Sequence, residues 1–440
     1  MKMALFFLLG LTAFVGTSAV SRCLDPTDTW YNCQLDDGGK LYLSTCGIGD
    51  ADVEGGFLES CFDAAGRDMI VEIRLNQNYL TTLPEGLFQD LTALTELNLQ
   101  DNELTSLSKG VLQDLTALTS LVLRENALDT LPVDGFQSLT ALTNLDLSDN
   151  DLTTLPDGVF GGLSALEELD LSENTLAILP EGIFEGLTFL IILYLDNNAF
   201  TAVPEGIFQG ITALQKLHLD FNALVALPEG VFEDLTALQE LDLSNNPYLA
   251  TLEKGAFQDL TALEELSLYQ TNLTTLPEGV FDDLIALQEL HLGRSALVAM
   301  PEGVFEDLTA LQDLNLMDND LTTLPEGVFE VLTALENLDL EGNALECLPT
   351  TGLGGARWTW SDGLHVDAYG NECGCSISNV TDNVCGQTTC TPGPVGYTCA
   401  GDSGGGESSD SSGGERSVAT YVWIGTLSTV VSGLLVVLWV

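Results

Sequence analysis

Basic side chains are scarce in this chain. Its 440 residues carry 12 Lys and Arg against 66 Asp and Glu, a formal charge of −54. A surface this acidic repels phosphate, which argues against nucleic acid as a partner, and it disfavours contact with anionic membrane. Cysteine is absent from the whole middle of the chain: none of the 10 stands between Cys61 and Cys347. Histidine occurs only 3 times, and none lies at finger spacing from the C-G-C at 373–375. That pair is therefore weak support for zinc, and no metal ligand is assigned. Nothing supplies a nucleophile turn or an oxyanion hole, so the reading includes no catalytic residue, no cofactor and no enzymatic activity.

What the chain has in abundance is repetition. From about Ile70 to Pro349 one phrase returns roughly every 24 residues, as in L-T-E-L-N-L-Q-D-N-E-L-T-S-L from Leu94. An asparagine closes the phrase at Asn78, Asn102, Asn126, Asn150, Asn174, Asn198, Asn222, Asn246, Asn319 and Asn343. Thr271 and Ser295 fill the two remaining beats, which makes twelve repeats. A fixed period in this range, in the pattern L-x-x-L-x-L-x-x-N-x-L, predicts an α/β-type solenoid: a leucine-rich-repeat horseshoe with short parallel strands on its concave face. Alternation then sends Leu97 and Leu99 inward and Glu96, Asn98 and Gln100 outward. The closing asparagine is expected to turn its amide onto the backbone of the next coil, which Thr271 and Ser295 do less completely. The run x-L-P-x-G-x-F puts a phenylalanine in most coils, from Phe88 to Phe329, and reads as a packed spine on the convex side. Residues 247–252 hold one extra residue, marking repeats eight to ten as irregular.

The flanks read differently. Residues 1–21 form a secretory signal, with Lys2, an apolar run at 4–15 and small residues at 16–19. Residues 22–68 make an N-terminal cap holding Cys23, Cys33, Cys46 and Cys61. The array runs over 69–349, and a Cys-rich cap over 350–400 adds Cys373, Cys375, Cys385, Cys390 and Cys399 to Cys347. Even numbers at each end of a secreted chain imply disulfide-stapled caps, which cover core that the end coils would expose. Residues 401–416 are a Gly/Ser-rich acidic stalk. Residues 417–440 have no charged side chain, with no basic residue beyond them. This reads as a glycosylphosphatidylinositol attachment signal with candidate sites Ser408, Ser409, Ser411 and Ser412; a membrane-spanning tail is the alternative. Either anchor places the array at the cell surface, on the extracellular side of the plasma membrane.

The phrase L-P-E-G-V-F-E-D-L-T-A-L-Q-E-L-D-L-S-N-N resembles the 24-residue repeats of animal extracellular leucine-rich-repeat proteins. These include Toll-like receptor ectodomains and, most closely in wording and layout, the lipid-anchored variable lymphocyte receptors of jawless fish. The resemblance covers Ile70 to Pro349 and implies a cell-surface recognition protein.

A ligand would touch the concave positions. Most are polar: Glu72, Glu96, Asn144, Asp146, Glu168, Asp170, Glu240 and Asp242. Repeats six and seven differ, offering Ile191, Ile192, Tyr194, Lys216, His218 and Phe221, where aromatic and basic groups make interface anchors. A second cluster is Tyr269, His291, Arg294 and Met317. Ordinary variation among exposed positions is the bland reading of both. His218, Asp220 and Ser244 fall near one another, while His218 and His291 sit three coils apart, too far to share an ion. Carboxylate rows such as Asp146 with Asp170, or Glu240, Glu265 and Glu289, read as solvated surface, with weak calcium binding as the alternative. Sequons at Asn272 and Asn379 are expected to carry glycans. The partner implied is a protein or other extracellular macromolecule; a calcium-dependent adhesive or coat protein is the alternative.

Overall fold

Leucines spaced two apart make each repeat a three-residue strand with one side chain inward and two outward. The computed structural model describes residues 35–345, except 37 and 55, and the strand segments 365–367, 390–393 and 396–399. The chain divides into units 1–399 and 400–440, and the second lies outside the described residues.

One sheet of 14 strands, every pair parallel, runs from Lys40–Tyr42 to His365–Asp367. Removing these two flanking strands from the 14 leaves twelve, from Glu72–Arg74 to Asn337–Asp339, one per repeat. Register follows the period: Glu96 pairs with Ser120 and Leu97 with Leu121. The extra residue at 247–252 does not disturb it, because Glu240 pairs with Glu265 and Leu241 with Leu266. The insertion is accommodated at the far side of the coil, where Ala226–Leu227 and Thr251–Leu252 form a separate short parallel pair.

Leu97 and Leu99 are buried, Glu96 is exposed, and Asn98 and Gln100 are half-buried. Beyond the strands each coil proceeds through turns. Gly230, in the L-P-E-G turn, takes φ +69, a conformation that costs a glycine little. The phenylalanines of these turns are buried and stack coil on coil, with ring centroids 5.9–6.4 Å apart in the runs 136–160, 184–208–232–257 and 257–281–305–329. Where Leu112 replaces the ring, Ser108 replaces the proline and its hydroxyl donates to the Leu83 carbonyl at 2.7 Å.

The asparagine ladder differs from expectation in direction. Asn102 Nδ2 donates to the carbonyls of Leu75 (3.0 Å), Leu99 (2.9 Å) and Gln100 (3.3 Å), and its Oδ1 accepts from Leu80 N–H (3.2 Å). Leu75 and Leu80 belong to the preceding coil, so the amide reaches back rather than forward. The forward link is made by main chain: Leu99 N–H donates to Val122 O at 2.8 Å and Asp101 N–H to Arg124 O at 3.1 Å. With those forward groups already paired, the polar atoms the amide can satisfy lie behind it. The substituted beats make a smaller motif, in which Thr271 Oγ1 bonds to the Leu268 carbonyl (3.1 Å) and to Ser295 Oγ (2.8 Å).

At the N-terminal edge, helices Asp50–Glu54 and Phe57–Ala65 and the 3-10 turn Arg67–Met69 cover the first coil. Phe62 sets its ring 6.1 Å from Phe88, continuing the aromatic row into the cap. Cys46 and Cys61 are each disulfide-bonded. Glu72, expected on the ligand-facing surface, is instead 2% exposed, because Lys40 and Arg74 close over it as ion pairs. The cap strand supplies Lys40 opposite Glu72, and Arg74 is itself held 5.2 Å over the Tyr42 ring. The hairpin Cys390–Gly393 with Gly396–Cys399 is antiparallel and sets Cys390 opposite Cys399. Cys23, Cys33, Cys347, Cys373, Cys375, Cys385, Asn379 and Ser408 to Ser412 lie outside the described residues.

Candidate functional site

The period places side chains on the open sheet face in rows. One row reads Glu168, Ile192, Lys216, Glu240, Glu265; the next reads Asp170, Tyr194, His218, Asp242, Ser267, His291. Lys216 and His218 thus sit directly beside Ile192 and Tyr194, as the spacing implies. The Tyr194 and His218 rings meet edge-on, with centroids 5.0 Å apart at 72°. Glu240 binds both neighbours: Oε2 pairs with Lys216 Nζ, and Oε1 lies 2.9 Å from His218 Nε2. Burial opposes ionisation of Glu240, but Lys216 and His218 outweigh it and hold the carboxyl below its ordinary value. The basic charge foreseen on this patch is therefore largely committed to Glu240.

Phe221 stands at the turn after the His218 strand. That turn position is left-handed in successive coils, and Phe221 takes φ 49 and is 53% exposed. A bulky residue is rare in this conformation. Asp101, Glu125, Asp149, Glu173, Asn197, Asn245 and Asp318 take the same torsion in their coils, so the turn belongs to the repeat and only the exposed ring is particular to this one.

The second group is real but smaller. Arg294, also left-handed at φ 54, lies 5.6 Å over the Tyr269 ring and pairs with Asp318 at 3.3 Å. Gly293 lets Tyr269 and Met317 close in on either side of it; a Cβ there would meet Met317 Cγ at 2.9 Å and Tyr269 Cδ2 at 3.1 Å. His291 Nε2 lies 3.6 Å from Glu289 Oε2. His218 and His291 are three strands apart in one row, so they share no ion.

Comparison with known proteins gives this architecture its family. The sequence profile described as leucine rich repeat matches residues 70–128, 93–152, 140–200, 188–247, 245–297 and 285–345, which overlap to cover 70 to 345 without a break. The chain belongs to the leucine-rich-repeat family. Among solved structures, a leucine-rich-repeat protein of Leptospira interrogans is 30% identical, with a TM-score of 0.50 over 70% of this chain and 85% of its own. A chain of the Drosophila Toll–Spatzle complex is 25% identical at TM-score 0.58, covering 69% of this chain and 44% of that one. A chain of the complex of latrophilin 3, Unc5D and the leucine-rich-repeat region of FLRT2 is 27% identical at TM-score 0.53, covering 63% and 83%. No curated protein sequence matches the chain.

Within this leucine-rich-repeat sheet the carboxylate rows are not uniform. Asp146 and Asp170 are direct neighbours, yet each accepts from a serine two residues on: Ser148 Oγ at 2.6 Å and Ser172 Oγ at 2.6 Å. Burial, with help from Asp146 and Asp196, nevertheless raises the Asp170 pKa from 3.8 to about 6, against the pull of the Ser172 hydrogen bonds. A carboxyl whose folded pKa is raised gives stability that is full below the unfolded pKa and is lost as pH rises through 6. Asp170→Asn keeps the Oδ1 acceptor and removes the charge. It should gain about 1–2 kcal/mol at pH 8 and almost nothing at pH 4 by urea unfolding. An equal gain at both pH values would show that the charge is not the cause.

One association was not singled out from the sequence. Asp196 and Asp220 occupy equivalent places in successive coils, and both approach His218, whose Nδ1 is 3.9 Å from Asp220 Oδ1. Adding the repeat length to Asp196 would have found the pair. Ser244, once placed beside His218 and Asp220, is 7% exposed and accepts from Asn245 Nδ2 at 3.2 Å. Asn272 is exposed.

Proposed function

We propose that the chain is a cell-surface recognition protein that grips a protein ligand on the open face of its sheet, centred on Ile192, Tyr194, Lys216, His218 and Phe221. Phe221 carries this reading. A large apolar ring left exposed at the turn that follows the His218 strand adds nothing to the core and is useful for contact. Tyr269, His291 and Arg294, two to three strands further along the same sheet, extend the contact surface.

Related folds support the choice of a protein ligand. The Toll–Spatzle complex and the assembly of FLRT2 with latrophilin 3 and Unc5D each contain a leucine-rich-repeat chain bound to other proteins. The charge of −54 argues against nucleic acid here. The secretory signal and apolar tail of the sequence support an outward-facing, membrane-tethered array. The sequons at Asn272 and Asn379 fit a glycosylated surface, and the flanking cysteines fit stapled caps. No helix among the described residues is long and apolar enough to cross a membrane, and the tail lies outside them.

The test screens the full chain on cells against secreted proteins and ectodomains. For the partner captured, Tyr194→Ala with Phe221→Ala should weaken binding at least tenfold, because aromatic anchors typically cost about 2 kcal/mol or more when truncated. Asn98→Ala with Asp146→Ala, on the acidic N-terminal coils, should change affinity little. A larger loss from the second pair would move the binding site to those coils.

A further inference from the structure

We infer that Asp196, His218 and Asp220 form a binding site for a divalent transition-metal ion, zinc being the best match. One donor atom from each lies within 4.8 Å of the others. Ligands around tetrahedral zinc stand about 3.4 Å apart, given bonds of about 2.1 Å, so small side-chain rotations close the set.

Three further observations point the same way. Asp220 Oδ1 is buried and, among the described residues, has no hydrogen-bond partner. Elsewhere on this face an aspartate two residues before a serine is satisfied by it, as Asp146 is by Ser148 and Asp170 by Ser172. Coils six and seven exchange that order: Tyr194 and His218 take the strand position, and Asp196 and Asp220 take the place of the serine. The hydroxyl is lost and two carboxylates face each other across adjacent coils. Among the described residues, Asp196 Oδ2 accepts from the Asn197 side-chain amide, at 3.0 Å, and from no other group. Asp242 adds further negative charge near Asp220.

His218 is also preset as a ligand. Its Nε2 lies 2.9 Å from a carboxylate oxygen of Glu240, which can only accept, so the ring proton belongs on Nε2. In the neutral ring that a metal requires, Nδ1 then carries the lone pair, and it lies 3.9 Å from Asp220 Oδ1. A carboxylate behind a histidine fixes tautomer and orientation in metal sites. Lys216 holds Glu240, and the Tyr194 ring braces the imidazole from its edge. Calcium fits less well, since it takes six to eight oxygens and this set offers a nitrogen. Three protein ligands would leave one of the four positions of a tetrahedral ion open. The site stands whether or not the patch binds a partner.

The test strips the full secreted chain with chelator and titrates it with Co(II) in millimolar calcium, which saturates loose carboxylate sites. The expected result is a single tight equivalent with the intense visible bands of tetrahedral Co(II), displaced by zinc. His218→Ala and the near-isosteric Asp220→Asn should abolish the bands while circular dichroism stays unchanged, and His291→Ala should keep them. Glu240→Gln should weaken binding roughly 10–100-fold. Co(II) that calcium displaces, or bands that survive in both His218→Ala and Asp220→Asn, would overturn the site and leave only a diffuse counterion atmosphere. A chain that binds no Co(II) at micromolar concentration would overturn it equally.

Discussion

Asn246→Ala should destabilise the array by about 3–4 kcal/mol, more than most single changes on its surface. Asn246 is 0% exposed. Its amide nitrogen donates to the carbonyls of Leu219 (3.0 Å), Leu243 (2.9 Å) and Ser244 (3.2 Å), and its oxygen accepts from Leu224 N–H (3.0 Å). Alanine would leave the Leu224 N–H and the Leu243 carbonyl unpaired, each worth about 1–3 kcal/mol, while the Leu219 carbonyl keeps the Asn222 amide and the Ser244 carbonyl keeps the Phe221 N–H. The same geometry predicts a gain where the ladder is interrupted. Ser295→Asn should stabilise by about 1 kcal/mol, since Ser295 Oγ reaches the Leu268 carbonyl only at 3.5 Å. Urea unfolding of the two variants measures both effects. A cost below about 1 kcal/mol for Asn246→Ala would mean that water replaces the amide and that the ladder is not a main source of stability.

Phe257→Ala is expected to cost about 3–5 kcal/mol, and to do so locally. The Phe257 ring is buried between Phe232, at 6.3 Å, and Phe281, at 6.2 Å, so its loss removes packing from two neighbouring coils as well as its own. A solenoid passes strain only between neighbours. Hydrogen exchange should therefore show protection lost first around Leu241, Leu266 and Leu290, with Leu97 and Leu121 still protected. This stretch is already the weaker part of the ladder, because Thr271 and Ser295 follow it. Uniform loss across the sheet would show that the coils melt as one cooperative body and would sink the local picture.

The sequence by itself determined the architecture and most of the row structure of the site. The repeat length equals one strand step, so residues 24 apart stand side by side; Tyr194 beside His218 and Lys216 beside Glu240 follow from counting. The leucine alternation set which side chains enter the core, and the recurring phenylalanine foretold the spine. Tertiary structure decided what depends on torsions and on neighbours outside the repeat. It turned the asparagine amides toward the preceding coil, where unpaired backbone groups remained. It buried Glu72 beneath Lys40 and Arg74, because the cap adds a strand whose partner no periodicity specifies. It left Phe221 exposed at a left-handed turn, and it drew Asp196, His218 and Asp220 together with one carboxylate oxygen unpaired. A period fixes which residues are neighbours; rotamer, turn geometry and desolvation decide what those neighbours do to one another.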